Sequence, residues 1–476
     1  MVTALHGGRH VLRSKPPTGR PVCRHTRSIW PHGPAAGADV VDCDADRPID
    51  RSTGSRADSS SAFPVNRSAG RAALIRPTGK RHIMQADVVV IGLGTMGSLA
   101  LWEEAKAAGD RADRVVGIEQ YGPVHTHGSF TGESRVFRVA VHEGARYVPA
   151  LLKARERWQH LQEVAGRQLF LPTGVLNVGP EGCEPIATVR QCVAENDLPA
   201  EELDTAELRE RFPQHAVDEG DVAVLDTLSG GLRPELTVLS GLELAAKAGA
   251  TILTNTPVTG IARDPNGGVT VTIGGPEPQT IHAGRAIVTA GSWAGRLLPG
   301  LADLLTVHPL SLTWFAPHHI ELFTPDRFPV FLRDRRTDDG GLEHLFGVPT
   351  LDGFSIKASA GSLFGVFDDV AEVPEMPGAD KLREIGEIAH RFFPDLNPEP
   401  VRASMHHDAF TPDDAPIVGV DDSGTIAFAA GMNGNGFKFA PLFGAWVSEL
   451  SRGETPDLYD EEWYGLAGHR ARAGLA

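Results

Sequence analysis

The stretch Asp87-Val88-Val89-Val90-Ile91-Gly92-Leu93-Gly94-Thr95-Met96-Gly97 limits what this chain can become more than any other part of it. The continuous β-branched run from Val88 to Ile91 suits a strand buried on both faces. The glycines that follow suit a tight turn into a helix. Gly92 permits the turn, Gly94 lets the backbone approach a pyrophosphate, and Gly97 lets the helix pack close on the sheet. The helix is expected to reach about Ala108, and a second strand, Arg114 to Ile118, ends at Glu119, 22 residues after Gly97. This is a βαβ unit whose helix N-terminus turns free N–H groups toward phosphate. An acid at Glu119 suits ribose hydroxyls and disfavours a 2′-phosphate, so NADP is not expected. The motif implies a dinucleotide without choosing between FAD and NAD.

Further strands are expected at Ala250–Leu253, Val258–Ala262, Val269–Ile273, Thr280–Thr289 and Thr425–Ala430, with helices at about Val238–Ala248 and Phe439–Leu450. Regions richer in alternating and aromatic residues interrupt this α/β text. We therefore expect an α/β protein with a discontinuous nucleotide domain, residues 84–172, 229–303 and 405–465, and a substrate lobe inserted as 173–228 and 304–404. Residues 1–83 read as a disordered extension or as the result of a start assigned too far upstream, being rich in Arg, Pro, Gly and Ser without periodicity.

Charge divides the same way. Residues 1–83 hold 14 Lys/Arg against 6 Asp/Glu, a net of +8, and the remainder holds 31 against 55, a net of −24. So acidic a body disfavours nucleic acid and anionic membrane as partners, and no apolar run is long enough to span a bilayer. The four cysteines, Cys23, Cys43, Cys183 and Cys192, form no C-x-x-C pattern and suit a cytoplasmic protein without a disulfide framework. The pairs His318-His319 and His406-His407 make poor chelates, because neighbours on a strand point to opposite faces. No metal, G-x-S-x-G elbow or P-loop is expected.

Three further motifs choose the cofactor: His125-Thr126-His127-Gly128-Ser129 leading to Gly132-Glu133-Ser134-Arg135-Val136-Phe137-Arg138; Gly347-Val348-Pro349 followed by Lys357; and Gly431-Met432-Asn433-Gly434-Asn435-Gly436-Phe437-Lys438-Phe439. In this order they resemble the monomeric sarcosine oxidase and N-methyltryptophan oxidase family, FAD-dependent amine oxidases of the D-amino-acid-oxidase-like fold, from about Met84 to Leu458. The resemblance implies an FAD-binding Rossmann-like domain carrying an antiparallel substrate sheet. It implies FAD contacts at Gly92, Gly94, Met96, Gly97, Glu119, His125, Gly128, Ser129, Arg135, Val258, Gly291, Trp293, His406, Gly434, Gly436 and Lys438. Arg135 is expected near the flavin, Arg138 and Lys438 on a substrate carboxylate, and Lys357 over the ring, where a fixed cation favours reduction of dioxygen.

The chain departs from that family in three places. His406 stands where many members attach FAD through a cysteine, and no cysteine follows Cys192, so non-covalent FAD is expected, a histidyl link at His406 remaining open. Phe346 replaces a tyrosine and Gly361 a histidine, which makes the pocket roomier and more apolar; Met405, His407, Phe410 and Trp314 are further candidates for its lining. The expected activity is oxidation of the C–N bond of an N-methyl, N-alkyl or cyclic amino acid to an imine, with dioxygen reduced to hydrogen peroxide, by a monomer or small homo-oligomer. The alternatives are an FAD-dependent dehydrogenase with another electron acceptor, a flavin-binding protein without turnover and, less suited to these motifs, an NAD-dependent dehydrogenase.

Overall fold

The computed structural model describes residues 84–275, 279–361 and 363–475, so the expectations for 1–83 fall outside it. Met84–Ile91 is the central strand of an eight-stranded sheet. It runs parallel to Val115–Ile118 on one side and to Gln279–Val288 on the other. Thr251–Leu253 extends the sheet beyond Val115–Ile118, and Ile426–Ala430 joins Gln279–Val288 in parallel. Val88, Val89, Val90 and Ile91 are all buried, as their unbroken apolar text requires.

The helix Thr95–Ala108 follows the glycine turn and packs between the helices Pro234–Ala248 and Ala440–Ser451. Small residues allow this closeness. A Cβ on Gly241 would lie 3.0 Å from the Ser98 carbonyl oxygen and one on Gly444 2.9 Å from Leu99 Cβ; one on Gly97 would lie 1.8 Å from the Gly92 carbonyl oxygen, so the helix also sits hard against its own turn.

The second sheet also has eight strands, in the order Arg402–Phe410, Thr306–Phe315, Ile356–Ala360, Leu342–Val348, Val330–Arg336, Val175–Pro180, Asp221–Asp226, Ala200–Leu203. All its pairings are antiparallel except that of Val330–Arg336 with Val175–Pro180. One expected boundary cuts this sheet. Position 405 falls inside Arg402–Phe410, which pairs along its whole length with Thr306–Phe315, because strand partners are set by register rather than by local composition. A third sheet of three short strands, Arg135–Phe137, Gly230–Leu232 and Phe170–Leu171, carries Arg135.

Candidate functional site

A cavity of about 450 Å³ runs from the glycine turn to the second sheet. Gly92, Gly94, Met96, Glu119, His125, Gly128 and Ser129 line it at the first sheet, with Val258, Gly291 and Trp293 beside them. Arg135, Lys357, His406, Gly434 and Gly436 line it further on, together with Phe346 and Gly361. His407 and Phe410 face it as expected, whereas Met405 and Trp314 are buried elsewhere. Trp314 instead donates its indole N–H to Glu133 at 2.7 Å and stacks with Arg402. Gly97 acts through packing and does not reach the cavity.

A dinucleotide fits this wall. The helix Thr95–Ala108 has no side-chain cap, so its first-turn amides are left for a phosphate. Gly92, at φ 85°, could carry a Cβ only 2.8 Å from the Thr289 carbonyl. Glu119 is oriented by the amides of Leu93 (2.8 Å) and Tyr121 (3.1 Å). Burial pushes its carboxyl up, but His125 and those amides hold it below its ordinary value. The Ser311 hydroxyl lines the cavity, buried and without a hydrogen-bond partner, as a polar occupant would require.

The loop Gly132–Ser134 organises the far end. Gly132 (φ 118°) and Glu133 (φ 68°) adopt left-handed backbone, and both their amides donate to Glu235, at 2.7 and 2.9 Å. The Gly132 and Ser134 carbonyls accept from Lys357 Nζ, at 3.2 and 2.7 Å. Arg135 spends its guanidinium on the carbonyls of Ser129, Thr131 and Ser134. Burial lowers Arg135 to about 10, which leaves it charged at neutral pH. Burial, followed by the Arg135 charge, drives the Lys357 ammonium well below its ordinary value.

Arg138 and Lys438 converge, but not on the open cavity, and this corrects the expectation of a free carboxylate clamp. Both donate to one oxygen of Glu143, Arg138 at 2.8 Å and Lys438 at 2.6 Å, and both are buried. Neither lines the cavity, although Gly436 and Phe437 beside Lys438 do. The physical reason is charge: two buried cations need an anion, and Glu143 is five residues beyond Arg138. Burial raises the Glu143 carboxyl, and Arg138 and Lys438 more than reverse that, holding it far below the carboxylate range. Burial lowers Lys438 to about 8. Arg138, followed by burial, lowers the His142 imidazole to about 3, so it is neutral.

His406 Nδ1 donates to the Gly128 carbonyl at 3.2 Å, and its Nε2 lies 2.9 Å from the Ser404 hydroxyl. Burial and Arg135 lower it to about 3. His407 turns the other way, to Ser292 at 3.0 Å. Sequence reasoning missed Glu143, Glu235 and Asp408; for Asp408 the available signal was strand alternation, which sets it on the His406 side of its strand. Among the described residues, no helix is long and apolar enough to cross a membrane and no group of three His, Cys, Asp or Glu side chains could hold a metal ion.

The model of the DAO family, described as FAD dependent oxidoreductase, matches residues 87–450. Monomeric sarcosine oxidase of Streptomyces avermitilis is 31% identical over 371 residues, covering 77% of this chain and 93% of that protein. N-methyl-L-tryptophan oxidase of Yersinia pestis is 29% identical over 395 residues, 81% of this chain and 100% of that one. Among solved structures, NikD, an unusual amino acid oxidase essential for nikkomycin biosynthesis, superposes with a TM-score of 0.70 at 20% identity, covering 80% of this chain and 97% of its own. Glycine oxidase from Geobacillus kaustophilus gives 0.65 at 20% identity, covering 80% and 98%. These superpositions bear on the fold.

Proposed function

Given that the chain belongs to the DAO family of FAD-dependent oxidoreductases, we propose that it oxidises an N-methyl, N-alkyl or cyclic amino acid at the C–N bond, giving an imine, and passes the electrons to dioxygen to form hydrogen peroxide. The observation that carries this reading is the convergence of Arg138 and Lys438 on one carboxylate oxygen. A site that holds Glu143 in this way has the charge and geometry to hold a substrate carboxylate once Glu143 swings aside. Bound FAD supplies the acceptor for the hydride equivalent leaving the carbon beside nitrogen. In this reading residues 84–172, 229–303 and 405–465 contribute most of the cofactor site, with Gly92, Gly94 and the first-turn amides taking the pyrophosphate and Glu119 the ribose.

Phe346 and Gly361 widen the substrate end and remove polar partners, which favours a larger or cyclic amine over sarcosine. Lys357 places its ammonium beside Arg135 with carbonyl acceptors only, a fixed donor for an anionic product of oxygen reduction. Non-covalent FAD is supported by His406, whose two ring nitrogens each have a protein partner. Acid precipitation is therefore expected to leave a colourless pellet and a yellow supernatant; colour kept in the pellet would indicate a link at His406.

The principal test is an anaerobic screen of N-methyl, N-alkyl and cyclic amino acids. At least one should bleach the visible absorbance of the holoenzyme, and bleaching by none would sink the reading. Under air the same compound should yield one peroxide per turnover. Turnover without peroxide would point to a dehydrogenase with another acceptor.

A further inference from the structure

Among the described residues two carboxylates line the main cavity, Glu119 and Asp408. Glu119 has His125 3.4 Å away. Asp408 is 5% exposed and forms no ion pair with any described cation. Its oxygens are held by main-chain donors instead, Oδ2 by the Gly434 amide at 2.8 Å and Oδ1 by the Ala409 amide at 2.9 Å. Such bonds orient a carboxylate without neutralising it. Burial pushes the Asp408 carboxyl up to about 6, against the pull of those amides and of Arg135.

The surroundings offer no better countercharge. Arg135 is occupied by three carbonyls and also feels Glu235, which accepts from the Gly132 and Glu133 amides. On its own strand His406 is neutral and His407 is turned to Ser292. His308, opposite Asp408 in register, stacks on Phe410, and burial lowers its imidazole. The glycine loop then ties this carboxylate to the buried cations. Gly434 holds Asp408, and the next residue, Asn435, accepts from Lys438 Nζ at 2.8 Å.

We infer that Asp408 is the contact for the positively charged nitrogen of the substrate, so that an amino acid is gripped at both ends, its carboxylate by Arg138 and Lys438 and its ammonium by Asp408. This rests on the amino-acid reading given above. For a substrate bearing an N–H, the same carboxylate takes the proton: the N–H bond breaks, an O–H bond forms on Asp408, and nitrogen keeps the electron pair that C–N oxidation needs.

Two cyclic acids that cannot be oxidised at nitrogen test this. Proline betaine carries a fixed positive charge, and tetrahydrofuran-2-carboxylate has a neutral ring oxygen. Both are titrated into the FAD holoenzyme, with perturbation of the visible absorbance as the readout. Asp408→Asn should weaken proline betaine by about tenfold or more, the worth of a hydrogen bond or contact to a buried charge, and the neutral acid by less than about twofold. An unchanged betaine affinity, or equal weakening of the two ligands, overturns the inference. Should the variant fail to fold or to keep FAD, the wild-type protein still decides. Its preference for betaine should fall as pH drops through about 6, where Asp408 takes up a proton, and a preference independent of pH overturns the inference. Binding of neither ligand to wild type would defeat the amino-acid reading as well, whereas equal binding of both defeats only the role of Asp408.

Discussion

Replacing Lys357 with methionine is expected to slow reoxidation of the enzyme by dioxygen by about 10²–10³-fold, the usual loss when one preorganised donor to a developing anion is removed. Anaerobic bleaching by substrate should slow far less. Lys357 Nζ has two carbonyl acceptors and no carboxylate partner within ion-pair distance among the described residues, so its charge is free to act on a small anion. The sign of the pH dependence follows. Its ammonium is lowered well below the ordinary lysine value, by burial first and then by Arg135. The charged form is present below that lowered value, so the oxygen reaction should lose rate as pH rises through it, and Lys357→Met should abolish the dependence. Stopped-flow measurement of the two half-reactions checks both statements. Equal slowing of the halves would remove the role assigned to Lys357 and leave it as a support for the Gly132–Ser134 loop.

Arg138→Ala should raise KM for a carboxylate-bearing amine by about a hundredfold, since truncating one partner of a buried charge pair costs roughly 2–5 kcal/mol. The effect on kcat should be smaller than that on KM. Glu143→Gln should act in the opposite direction. It removes the anion that occupies Arg138 and Lys438 and leaves both cations open to substrate, so KM should fall while the protein without ligand becomes less stable. Steady-state kinetics and thermal melts of the two variants check this pair. A KM that rises in both would mean that Glu143 helps to shape the site and does not compete for it.

Much of the architecture was legible because it rests on local text. The run Val88–Ile91, the glycine turn and Glu119 lie within about 35 residues and form one unit, so its strand–turn–helix–strand order could be read directly. The placement of Arg135, Lys357, His406 and Gly434 along one cavity came from matching the order of motifs, because spacing alone does not bring residues 135 and 357 together. What stayed hidden was non-local charge pairing. Glu143 reads as an ordinary loop acid until Lys438, 295 residues away, is folded against it. Asp408 follows two histidines and invites a metal reading, which alternation excludes. Its burial depends on the strand pairing with Thr306–Phe315, and that register also crosses the boundary expected at 405. Glu235 lies in the first turn of its helix, and nothing in the surrounding text shows that its carboxylate serves Gly132, 103 residues earlier.

The bonds around Gly132–Ser134 have a mechanical consequence. Glu235 grips the loop from a helix packed beside the nucleotide strands, while Lys357, Trp314 and Arg402 hold it from the other sheet. The two sheets are thus tied through the few residues that carry Arg135, and a hinge there would break several hydrogen bonds at once, the buried Lys357–Ser134 bond among them. Exchange of small molecules past a joint so tied calls for side-chain movements, of which rotation of Glu143 away from Arg138 and Lys438 is the one that would free both cations.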